Sequence, residues 1–154
     1  MTALVSSEII SVLIGRQIVT QAISDASNSI YHSITGLVLY SDDVNGILSE
    51  LDLGSKIKIL EELLKCLSNY KKKNSIIDMT LEQLHDMVLQ IKRDLHIISE
   101  KLKNHNNKWF SNYRKVNCKK ELANLTRHSN ILDQRLELLF KSLEFTNKKI
   151  LTEV

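Results

Sequence analysis

Ile77, Leu81, Leu84, Val88, Ile91, Leu95, Ile98 and Leu102 follow one another at spacings of four and three residues without a break. Eight apolar positions in that rhythm lie on one face of an α-helix and on no regular face of a strand, so they predict one long amphipathic helix. His105 and Trp109 continue the seam, and the NHNN run at 104–107 lowers helix propensity where it fades. Asp78 or Thr80 is the expected N-cap. At 1.5 Å per residue the helix would be about 40 Å long.

A second seam runs through Leu122, Leu125, Ser129, Leu132, Leu136, Leu139, Leu143, Thr146 and Ile150, with Ser129 and Thr146 as its polar steps. It predicts a helix that packs at the shallow angle of bundles and coiled coils. A connector of about 10–12 residues makes an antiparallel hairpin the natural arrangement of the pair. Upstream, Ser55 is a plausible N-cap for a helix to about Asn69 that buries Ile57, Leu60, Leu64 and Leu67; Gly54 separates it from a shorter piece around 45–52. KKKN at 71–74 forms the next connector, its lysines opposing the preceding helix's C-terminal dipole.

Residues 6–40 fit a helix through Val12, Val19, Ile23, Ala26, Ile30, Ile34 and Leu37, although TGLVLY at 35–40 has strand propensity. Gly15, Ala22, Ser29 and Gly36 recur every seven residues and form a file of small side chains. Such a file either lets another backbone approach closely or is a coincidence of a Ser-rich stretch. The chain of 154 residues contains no Pro and only four Gly beside 24 Leu and 17 Ile, leaving few turns for a sandwich or barrel. The expectation is a single all-α domain over 1–154, an antiparallel bundle of about four long helices near 6–40, 55–69, 76–104 and 117–150. Its first 44 residues are the least determined part. A chain of this length buries enough apolar surface to need neither disulfides nor a structural metal.

Charge is distributed unevenly. Residues 1–54 hold one base, Arg16, against six acids, while residues 55–154 hold 20 bases against 12 acids. Much of that excess lies in KLKNHNNKWFSNYRKVNCKK at 101–120, with seven bases and no acid. In its middle, Trp109, Phe110 and Tyr113 interleave with Lys108, Arg114 and Lys115. Bases that neutralise phosphate and aromatics that sit among headgroups suit an anionic membrane. The same pair of features suits single-stranded nucleic acid, with Trp109 and Tyr113 as stacking platforms. The plain structural reading is that Trp109 and Phe110 close the bundle end while the lysines are solvated. The residues expected to meet an anionic partner are Lys101, Lys103, Lys108, Trp109, Phe110, Tyr113, Arg114, Lys115, Lys119 and Lys120.

No catalytic constellation is expected. His85 and His96 stand three turns apart, about 16 Å along a helix. HExxH, CxxC, a Gly-rich phosphate loop and a Gly-x-Ser-x-Gly turn do not occur. No cofactor, metal or small-molecule substrate is therefore anticipated. Cys66 and Cys118 read as reduced thiols of an intracellular protein. The N-terminal apolar run lacks a basic n-region and is broken by Arg16, Gln17 and Gln21, so it suits neither a secretory signal nor a membrane span, and the sequon at Asn124 should be idle. The fold points to an interaction module that packs its helices against a protein partner or a second copy.

Two resemblances accompany this reading. Residues 56–150, with a long heptad helix, the broken basic segment KWFSNYRK and NCKKELANLTRHSNILDQRLELL, resemble the N-terminal four-helix domain of mixed-lineage kinase-like pseudokinases and the wider HeLo and RPW8 group. That resemblance implies a bundle that oligomerises and engages anionic membranes through Lys101, Lys103, Lys108, Arg114, Lys115, Lys119 and Lys120, although no kinase-like domain or brace accompanies it. The Ser-rich opening, ELDLGSKIKILEELLK at 50–65 and KWFSNYRKVNCKKEL at 108–122 resemble short uncharacterised proteins of large DNA viruses. Ile, Lys and Asn together supply 45 residues, the bias of an AT-rich coding sequence.

Overall fold

The computed structural model describes residues 2–37, 42–68, 70, 72–107 and 116–152, with the side chains of 14–37, 43–68, 70, 72–107 and 116–148. Five helices follow in order: α1 (Thr2–Leu37), α2 (Asp42–Leu51), α3 (Leu53–Ser68), α4 (Ser75–Asn106) and α5 (Lys119–Thr152). No strand occurs among the described residues. The fold is an all-α bundle in which α2 and α3 together make one of four sides.

Each α4 seam residue from Ile77 to Leu102 is buried. On α5, Leu122, Leu125, Ser129, Leu132, Leu136 and Leu139 are buried as well, and the seam opens to half-burial at Leu143 and Thr146. Ile57, Leu60, Leu64 and Leu67 of α3 and Ile23, Ala26, Ile30 and Leu37 of α1 close the same core. Burial of the Leu, Ile and Val side chains among them, worth about 1.5–3 kcal/mol each, is what holds otherwise marginal helices in place.

Cross-helix bonds give the topology. Gln83, Asp94 and Lys101 of α4 pair with Arg135, His128 and Glu121 of α5, so the two helices run antiparallel, as the heptad seams predict. Lys56, near the start of α3, donates to Ser129 and Asp133, whereas Asn74, beyond its end, donates to Thr146; α3 therefore runs parallel to α5. Arg16 of α1 meets Asp78 in the first turn of α4, and Gly15, Arg16 and Val19 line one groove with Asp78, Leu81 and Glu82, the register of two helices running parallel. Helices α1 and α5 each pack against both α4 and α3, which leaves α3 and α4 across the diagonal.

Two boundaries and one packing expectation differ from what the sequence predicts. The break between α2 and α3 falls at Asp52, which adopts φ 48, and not at Gly54. Asp tolerates the left-handed region better than most side chains, and hydrogen bonding resumes at once from Lys56 N to Asp52 O, so Gly54 and Ser55 lie inside α3 and Ser55 caps nothing. The N-cap of α4 is Asn74, not Asp78 or Thr80; its side chain accepts from the amides of Ile76 and Ile77. Asp78 instead sits in the first turn, where a carboxylate complements the helix dipole. The file of small residues meets nothing at its ends: Gly15 and Gly36 are exposed, and a methyl group built on either finds no atom within 4 Å. Ile23, Ala26 and Ile30 face the core instead.

Candidate functional site

The basic segment begins where α4 ends. Lys101 is half-exposed and donates to the Asn117 carbonyl at 3.2 Å and to Glu121 Oε1 at 2.5 Å, tying the two helices together across the connector. That ammonium, followed by backbone hydrogen bonding, holds the Glu121 carboxyl below the usual carboxylate range. Lys103 pairs with Glu100 one turn back, at 3.6 Å on an exposed surface, a contact worth little. Asn117 accepts the Lys119 amide on its side chain at 3.2 Å and so caps the start of α5. Lys119 and Lys120 occupy the first turn of α5, both exposed and without a carboxylate partner among the described residues. Lys108, Trp109, Phe110, Tyr113, Arg114 and Lys115 lie outside the described residues.

The described lysines thus have two roles. Lys101 is a structural tie, and Lys103 is locally paired. Lys119 and Lys120 form no ion pair within 4 Å among the described residues and stand at a helix N-terminus, where the backbone dipole disfavours positive charge, although Lys120 helps Lys101 hold the Glu121 carboxyl low. Cys118 lies beneath them, buried, and burial pushes its thiol up, so it is a neutral packing residue. Cys66 is exposed, and both thiols are free. Among the described residues, no three His, Cys, Asp or Glu side chains are placed to hold a metal, and no helix is long and apolar enough to cross a membrane.

Two polar contacts escape simple pattern reading. Arg16, 4% exposed, donates to Asp78 Oδ1 at 2.8 Å, the Tyr70 carbonyl at 2.6 Å and the Lys72 carbonyl at 3.1 Å, with its guanidinium over the Tyr70 ring. Its isolation as the lone base of residues 1–54 was the available signal. His128 Nδ1 lies 2.5 Å from Asp94 Oδ2 in the α4/α5 seam, both side chains largely buried. Each directly precedes a core position, Ser129 and Leu95, and that adjacency alone gives no hint of the pairing.

The chain is 30% identical, over an alignment of 152 residues, to the uncharacterised protein L717 of Acanthamoeba polyphaga mimivirus. The alignment covers 80% of this chain and 74% of the relative. This agrees with the resemblance to uncharacterised proteins of large DNA viruses. No protein-family profile and no solved structure matches, and the resemblance to the HeLo and RPW8 group finds no support.

Proposed function

Since the chain belongs to the family of mimivirus protein L717, we propose that this family supplies a non-catalytic helical interaction module whose α4–α5 end engages an anionic membrane surface. The observation that supports it is the placement of Lys119 and Lys120. The first turn of α5 carries one acid, Glu121, which Lys101 ties to α4, and beside it two cations that oppose the dipole by about 0.3–1 kcal/mol each. Two exposed lysines accept that cost in a segment, 101–120, that contains no acid. Anionic headgroups would neutralise them, and the aromatic residues Trp109, Phe110 and Tyr113 of the same segment suit the headgroup layer. The module would also pack on a partner or a second copy through α1, where Ile14 and Ile18 are more than half exposed beside the small residues Gly15 and Ala22. Free cysteines fit an intracellular setting, in the host cell or the virion.

Liposome flotation tests the reading. The protein should float with vesicles containing phosphatidylserine and not with neutral vesicles, and less at high salt. A single-stranded oligonucleotide should not compete. Full competition would transfer the segment to nucleic-acid binding, with Trp109 and Tyr113 stacking on bases.

A further inference from the structure

At the other end of the bundle, the connector between α3 and α4 and the last turns of α5 enclose a cleft of about 640 Å³. Lys72 and Lys73 stand on one wall and Lys141 on the other, while Phe145 and Ile76, 65% and 55% exposed, supply its apolar surface. Among the described residues, no carboxylate lines it. Lys141 is held at 2.8 Å by Glu137 of its own helix, with Glu144 near it, but Lys72 and Lys73 have no acidic partner among the described residues.

The cleft is built rather than incidental. Arg16 grips the Lys72 carbonyl, which pins the backbone carrying both connector lysines, and Asn74 Nδ2 donates to Thr146 Oγ1 at 3.0 Å, which fixes α5 against the connector. Walls held in this way need little reordering when a ligand enters. A cluster of positive charge around two exposed apolar side chains matches a ligand that is acidic and carries an apolar anchor. Because the connector lines one side of the concavity and α5 the other, a protruding chain segment can meet both walls, whereas a flat lipid surface would reach only the rim.

We propose that this cleft docks an acidic protein segment bearing an aromatic or aliphatic side chain, which Phe145 and Ile76 receive while Lys72 and Lys73 neutralise the flanking acids. The site is independent of the α4–α5 end. The probe is a short fluorescein-labelled peptide of Asp and Glu around a central Phe-Leu pair, with Gly-Gly at the centre as its control, read by anisotropy on the full chain. Binding should be saturable, salt-sensitive and stronger than that of the control. Lys72→Gln with Lys73→Gln should weaken it by about tenfold, Phe145→Ser should abolish the preference for Phe-Leu, and Lys119→Gln with Lys120→Gln should leave it unchanged. These substitutions are on exposed side chains, and an unaltered thermal melt certifies the fold. Absence of saturable binding, equal loss on substituting the α5 lysines, or sensitivity of vesicle flotation rather than peptide binding to Lys72→Gln and Lys73→Gln would overturn the proposal.

Discussion

Arg16 Nε and Asp78 Oδ1 are 2.8 Å apart, and the arginine side chain is 2% exposed. Its other nitrogens are taken by two carbonyls of the connector, so one side chain of α1 secures the turn into α4. Removing the buried arginine leaves two connector carbonyls and the half-buried Asp78 carboxylate without their donor. The Asp78 side chain is 35% exposed, so water can take over its carboxylate. Arg16→Ala should therefore destabilise the bundle by about 1.5–3 kcal/mol, and Arg16→Lys should recover only part of that, because an ammonium cannot reproduce the planar fork. Urea titration of the three proteins checks the order. Equal stability of Arg16→Ala and the parent would remove the staple.

Ser27 predicts the opposite sign. It is completely buried in α1, and its Oγ has no hydrogen-bond partner among the described residues. Ser27→Ala removes an unsatisfied hydroxyl and improves helix propensity, so thermal unfolding should occur at the same or a higher temperature. A clear fall in Tm would mean that the hydroxyl is satisfied in solution.

His128 and Asp94 join the middle of α4 to that of α5. A double-mutant cycle with His128→Gln and Asp94→Asn should give a coupling of about 0.5–3 kcal/mol, as for contacting residues that share a hydrogen bond. Additive losses would show that the contact contributes nothing beyond packing.

Glu121 carries an acid-linked part of the stability. Its carboxyl is held low in the folded state by Lys101, so the stabilisation is present above the ordinary carboxylate range and is lost as pH falls through the depressed folded value. Glu121→Gln should flatten the acid limb of the stability profile. An unchanged limb would remove Glu121 from that linkage.

Much of this fold was legible because helix period and burial coincide. The seam from Ile77 to Leu102 needed no tertiary information, since a helix with that stripe has one apolar face to cover. Helix ends were less legible. Asn74 caps α4 because it also reaches Thr146 across the bundle, and Asp52 breaks α2 from α3 in a left-handed conformation that sequence would sooner assign to the nearby Gly54. The basic segment was visible as charge. That Lys101 is a tie while Lys119 and Lys120 form no ion pair among the described residues depends on where Glu121 lies relative to α4, which only the packed hairpin fixes. The cleft around Phe145 was not visible at all, because its lysines are about seventy residues apart and meet through topology.

The most direct test of the central claim is flotation of the Lys119→Gln, Lys120→Gln protein beside the parent with phosphatidylserine vesicles. The account predicts weaker, less salt-dependent flotation together with unchanged or slightly raised thermal stability, because the replaced charges oppose the helix dipole. Undiminished flotation, or an equal loss of stability and flotation, would contradict it.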